Sequence, residues 1–335
     1  MKWSTPCWRN CRRTNRFSAW PSSACRIILR EKIRKFYGNH EPVLSYVSQP
    51  PLNAGLILEV HSYKTGEGDH VTFRHYGGFP YVVLENADGR FLFAGGFHGD
   101  VINFGIQQQS TEVFHMIGEV MRREGFPINS IIRQWNYIEQ ITRFDGPDQH
   151  YQMFNNARAD FYGKTDWNNG YPAATGIGAN LGGILVDLDA AVFARPECYA
   201  TPIDNKLQVA AHAYSDQVLE AAQQKKATPK FERAKSMTFD GRRIVYISGT
   251  AAIRGEESLV GVGLGRQLHI TMENIDQLIG NAKLKMLRVY LKEKSFYEEA
   301  RELLEGYRLD IPISYMWADV CRDELLIEIE GIAIE

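Results

Sequence analysis

The chain has 335 residues, 44% of them hydrophobic and 23% charged, with a formal net charge of -2. That length exceeds what one ordinary core organises, so two domains are expected. The near-balanced charge argues against nucleic acid as a partner, and the lack of any apolar run near the ~18 residues needed to span a bilayer argues against a membrane.

The first segment stands apart. Residues 1–36 carry ten Lys/Arg against one acid, Glu31, and hold three of the six Trp and three of the five Cys. With no apolar h-region and no small-residue cleavage site, the segment does not read as a secretory signal. An Arg- and Ser-rich, acid-poor composition fits a transit peptide loosely; a disordered basic tail, or a start codon placed too far upstream, fits it too. Residues 1–42 are set outside the folded part, and 1–36 are expected to be dispensable. Cys7, Cys11, Cys25, Cys198 and Cys321 form no CxxC pair, which suggests a reducing compartment and a cytoplasmic location. No HExxH, HxxE or clustered His/Cys spacing points to a metal. No phosphate-binding loop points to a cofactor, and Gly261-Val-Gly-Leu-Gly265 follows no clear strand.

From residue 79 the chain repeats itself. Tyr81-Val-Val-Leu-Glu85, a turn at Asn86-Ala-Asp-Gly89 and Arg90-Phe-Leu-Phe-Ala94 predict a hairpin, because Asp-Gly between β-rich runs supplies the positive φ angles of a tight turn. Val113, Met116, Ile117, Val120 and Met121 recur at helical spacing. An extended run over 128–138, a helix around 150–161 and a strand at Gly183-Ile-Leu-Val-Asp-Leu188 follow. The second half has a hairpin around Asp240-Gly241, a helix carrying Ile270, Ile275, Leu278 and Ile279, an extended run over 285–291, a helix over 296–307 and a strand at Leu325-Leu-Ile-Glu-Ile329. The order ββ(β)αβαβ, twice, predicts an α/β (α+β) protein of two mixed-sheet domains, 43–200 and 201–335, each with two helices on one face. The bare sheet faces need covering by the sister domain or by other subunits.

This order, closing on Glu-Ile-Glu-Gly-Ile-Ala, is similar to the YjgF/RidA (chorismate mutase-like) fold, whose members are trimers; a homotrimer is the implied assembly. The motifs Arg133-Gln-Trp-Asn-Tyr-Ile138, Phe154-Asn155 with Arg158, Tyr171-Pro-Ala-Ala-Thr-Gly-Ile-Gly178, Ser248-Gly-Thr-Ala-Ala-Ile253 and Ala318-Asp-Val-Cys-Arg-Asp-Glu-Leu-Leu-Ile-Glu328 resemble the chorismatase family over residues 43–335. Three departures mark a divergent member. Leu207 stands where the family has the arginine of Pro-Arg-Gln, Gln224-Lys-Lys-Ala-Thr-Pro229 replaces a Tyr-Gly-Pro stretch, and Gly255-Glu-Glu-Ser258 replaces Gly-His-Glu-Ser.

The resemblance implies cleavage of the enolpyruvyl ether of chorismate to pyruvate plus a hydroxybenzoate or dihydroxycyclohexadiene carboxylate. That reaction needs a proton on the terminal methylene of the ether, hence an acid whose pKa is raised towards neutrality. Glu328, among Leu325, Leu326, Ile327 and Ile329, has the apolar surroundings that disfavour its charged form and falls on the family's general acid. Cys321 matches a cavity position that influences the product; unaided, it reads as a small core filler. Arg158 resembles the family's carboxylate-binding arginine, with Arg133 a second candidate. Tyr171, Thr175 and Gly176 read as a Gly-rich turn whose backbone could face an anion, and Gln208, Tyr214 and Ala251 are further candidate substrate contacts. Two rivals remain on the same fold. A RidA-type imine deaminase would need an arginine fifteen residues before its Glu, where Ile313 and, in the first half, Pro172 stand. A non-catalytic protein binding a small carboxylate metabolite is the other.

Overall fold

In a computed structural model of the chain, the described residues are 35, 41–215 and 227–335. The basic N-terminal segment lies almost wholly outside the described residues, as does the first half of the 224–229 stretch. In the first unit, β1 (His70–Tyr76), β2 (Phe79–Asn86) and β3 (Gly89–His98) form an antiparallel meander. Then come α1 (Ile106–Glu124), β4 (Ile131–Glu139), α2 (His150–Tyr162), β5 (Ala173–Ala179) and β6 (Ile184–Phe193). The second unit repeats the series with β7 (Tyr199–Ile203), β8 (Ala234–Phe239), β9 (Arg242–Ala251), α3 (Gly263–Ile279), β10 (Lys283–Leu291), α4 (Tyr297–Gly306), β11 (Ile313–Trp317) and β12 (Ile327–Ile334).

The sheet orders are β1-β2-β3-β6-β4-β5 and β7-β8-β9-β12-β10-β11. Only β4/β5 and β10/β11 are parallel, so the halves match strand for strand and direction for direction. The Asp-Gly hairpin forms as its sequence requires, with Asp240 and Gly241 at φ 50° and 64°.

Two sequence expectations need correction. The division at 200/201 cuts through β7, which pairs with β8, so the units part between β6 and β7. Each unit also has one strand more than expected, β5 or β11, just before its last strand. In the first unit that strand is the segment read as a Gly-rich turn. Its glycines serve space rather than turning: Gly176 and Gly178 do not have positive φ. A Cβ at Gly176 would lie 2.9 Å from Tyr151 Cε2, and one at Gly178 would lie 2.7 Å from the Asp319 carbonyl oxygen.

The helices cover one face of each sheet. Val113, Phe114, Ile117, Phe154 and Phe161 fill the first core, with Phe114 and Phe161 stacked at 5.2 Å. Leu268, Ile275, Ala300 and Leu304 pack on Ile327 and Ile329 in the second. The remaining faces meet each other. Leu84, Phe91 and Ile132 pack with Met237, Tyr246 and Ile332, while Trp135, Tyr137 and Ile177 pack with Ala251, Tyr290 and Met316. Burying such side chains contributes about 1.5–3 kcal/mol each. The sister sheet thus covers the face that the helices leave bare, and no second subunit is needed for that purpose.

An extended strap before β1 ties the two parallel edges together. Leu52 N donates to Tyr315 O at 3.0 Å, Asn180 N to Ser48 O at 2.8 Å and Gln49 Nε2 to Gly178 O at 2.7 Å, which occupies strand edges otherwise open to pairing. Among the described residues no helix is long and apolar enough to cross a membrane.

Candidate active site

Strand alternation sets the polar centre of the molecule. On β12, Ile327, Ile329 and Ala333 face the helices, so Glu328, Glu330 and Ile332 face the sister sheet. Both carboxylates are buried, at 4% and 2% exposure, yet their surroundings differ. Glu330 accepts from Thr175 Oγ1, from Tyr290 OH at 2.6 Å and from Arg288 Nη1 at 2.8 Å, and it is ion-paired with Arg133. Burial alone would raise its pKa, but Arg288 and then Arg133 outweigh burial and hold it below the ordinary carboxylate value.

Glu328 makes no hydrogen bond to a described residue and lines a cleft between the two units. Burial first, and the Glu330 charge second, push its pKa up to about 8 against the opposing pull of Arg233 and Arg133. Its cross-strand neighbours are Ala251 and Tyr290, and a Cβ on Gly249 would lie 2.0 Å from its Oε1, so only glycine leaves room for the carboxyl there.

The cleft wall mixes polar and apolar side chains, Gln149, Asn155 and Arg233 beside Phe231, Ile253 and Leu325. Five of the expected residues meet there: Glu328, Cys321, Gly176, Tyr214 and Ala251. The Cys321 thiol is pushed up to about 12 by burial and by the Glu328 charge, so it stands as a neutral thiol rather than a nucleophilic thiolate.

The other five lie off the cleft wall. Arg133 spends Nη2 on Thr175 Oγ1 at 2.6 Å and on Glu330, with its guanidinium 4.7 Å over Trp135. Thr175 bridges that arginine to Glu330 and accepts from Gly249 N at 3.0 Å. Arg158 is buried behind the wall and donates to Asn155 Oδ1 at 2.6 Å; Asn155 itself lines the cleft. Tyr171 stacks at 5.9 Å on Tyr162, and its backbone N donates to Glu232. Gln208 accepts from Asn205 at 3.0 Å in a buried loop.

Among the described residues, the cations on the wall are two that sequence reasoning did not single out, Arg233 and Arg322. Arg233 is anchored to Val209 O at 2.9 Å and to Tyr214 OH. Arg322 donates to Glu256 O and Ser258 Oγ, both at 3.0 Å, and both guanidiniums lie over the Tyr214 ring, at 5.3 and 5.2 Å. The altered Gly255-Glu-Glu-Ser258 loop therefore holds a cleft arginine in place. Leu207 lies off the wall and is fixed through its backbone to Asn205 and Gly255. A usable signal for Arg322 was its place next to Cys321 in the quoted motif; for Arg233 the sequence offers none.

The first unit has no equivalent acid. The β3/β6 bulge sets Gly95-Gly96 against Asp187, as the β9/β12 bulge sets Ser248-Gly249 against Glu330. Asp187 thus corresponds to Glu330 rather than to Glu328, whose counterpart is Leu185.

Fold and cleft together define a class: two fused YjgF/RidA-type units with one buried carboxyl over an arginine-lined cleft at their junction. Residues 61–190 match the family model described as chorismatase FkbO/Hyg5-like, N-terminal. The chain is 29% identical over 294 residues to a 3-hydroxybenzoate synthase of Streptomyces hygroscopicus, covering 80% of this chain and 78% of the relative. It is 28% identical over 244 residues to a chorismatase of Streptomyces rapamycinicus, covering 66% of this chain and 67% of the relative. A chorismatase crystal structure shares the fold, with a TM-score of 0.65 and 23% identity over 78% of each chain. By sequence and by fold, the chain is similar to chorismatases.

Proposed function

We propose that the protein is an enzyme that cleaves the enolpyruvyl ether of chorismate, with Glu328 as general acid. The observation that carries this reading is a buried, unbonded carboxyl whose pKa of about 8 keeps it protonated at neutral pH, facing a cleft with two arginines. Glu328 delivers its proton to the terminal methylene, and the ether carbon becomes an oxocarbenium. Water adds there and returns a proton to the Glu328 carboxylate, and the hemiketal collapses to pyruvate and the ring alcohol as its hydroxyl proton passes to the departing ring oxygen. Arg233 favours the carboxylate left behind, while Arg233 and Arg322 offer charge-assisted contacts to the substrate carboxylates. Arg158 acts through Asn155 rather than by direct contact.

The test is incubation with chorismate, with pyruvate measured enzymatically and the ring product identified by chromatography. Because the acid works protonated, kcat should hold below pH 8 and fall as the pH rises through about 8. A wild-type protein that releases no pyruvate would overturn the reading. The ring alcohol formed this way is a dihydroxycyclohexadiene carboxylate, and a hydroxybenzoate requires the further loss of water from the ring; the same assay reads which is made, and Cys321 on the cleft wall is the residue proposed to influence it.

A cytoplasmic homotrimer completes the proposal. A row of outward apolar side chains on the strap, Leu56, Leu58 and Val60, each more than half exposed, supports contact between copies. Light scattering at micromolar concentration should give three times the chain mass, and a stable monomer would refute it.

A further inference from the structure

We propose that Glu330 is a positioning residue: held as a permanent carboxylate by cations from both halves of the chain, it keeps Glu328 in the protonated form that can deliver a proton. This deepens the reading of the cleft given above and rests on it.

The geometry supplies the argument. Glu328 and Glu330 are two apart on one strand and so project from the same sheet face. Every Glu330 partner fixes its charge: Arg133 and Thr175 come from the first unit, Arg288 and Tyr290 from the second. Arg288 is shared with Glu59 of the strap, its Nε at 2.7 Å, so the cluster holds two arginines and two carboxylates.

The charged and titratable groups around Glu328 divide by element. Glu330 lies on its own strand, Tyr290 on β10, Arg133 on β4, Arg233 and Tyr214 ahead of β8, Cys321 and Arg322 on the preceding loop and Tyr151 on α2. Tyr290 directs its hydroxyl to Glu330, and burial leaves Tyr151 and Cys321 neutral. Among the charges, the repulsion from Glu330 exceeds the attraction of either arginine. A cluster that joins the halves thus also sets the protonation of the acid between them, so correct docking of the two sheets and readiness of the acid are one condition.

The experiment is a carboxyl-13C NMR titration of the full chain labelled at glutamate, with the Glu328 signal assigned by its loss in Glu328→Gln. Glu330→Gln should lower the Glu328 midpoint by roughly one to three pH units, the usual size of a neighbouring-charge effect. Glu330→Asp, which keeps the charge, should hold most of the wild-type midpoint. If Glu330→Gln does not fold, Arg133→Gln/Glu330→Gln removes one charge of each sign, and the midpoint should still fall, by less. A folded variant of either kind with an unmoved or raised midpoint overturns the proposal, as does a midpoint in Glu330→Asp that falls as far as in Glu330→Gln. The titration reads Glu328 directly, so it decides this question even if chorismate proves not to be the substrate. If chorismate is cleaved, the alkaline limb of kcat should move with the midpoint, which a merely structural defect would not do.

Discussion

Glu328→Gln is expected to lower kcat on chorismate by ~10²–10⁴-fold, the range for a lost general acid, with KM nearly unchanged. The amide keeps the volume and planarity of the carboxyl, so the wall beside Ala251 and Gly249 stays intact. What disappears is the proton for the methylene carbon, an interaction realised only as the transition state forms. Such losses fall on kcat rather than on ground-state binding. The alkaline limb near pH 8 should disappear with it, since the titrating group is gone. Wild-type turnover in this variant would place the acid elsewhere.

Gly249→Ala should lower kcat by about 10²-fold through the same carboxyl, although the substituted residue carries no chemistry. The added methyl would fall 2.0 Å from Glu328 Oε1 and 3.0 Å from Thr175 Cγ2. The carboxyl is the end of a flexible side chain, so it yields before the backbone does, and it can only yield into the cleft. KM should therefore rise as well. The double variant with Glu328→Gln should be little worse than Glu328→Gln alone, because both changes act on one proton delivery and such effects are not additive. Full additivity, with circular dichroism unchanged, would show that Gly249 affects turnover by another route.

The residues by themselves determined the repeat. Asp-Gly between β-rich runs, helical spacing of apolar residues and short closing strands are local signals, and they recur in order in both halves. Local sequence also marked Glu328, a lone carboxyl in an apolar run, but its flanking residues Ile327 and Ile329 face the helices, so its burial comes from the elements that meet at the cleft. Local patterns do not suffice for β5, because glycine signals either a turn or a close approach, and only the neighbour decides which. At Gly176 that neighbour is Tyr151, from another element. Tertiary structure alone decided which cations face the acid. Arg133 and Glu330 are 197 residues apart and pair because two sheets meet face to face. That pairing withdraws Arg133 from the cleft and fixes a negative charge beside Glu328. The cleft cations come instead from Arg233, a residue without local signature, and Arg322, held by a loop 64 residues away. Coulomb interactions depend on distance in space and on burial, and a linear pattern records neither.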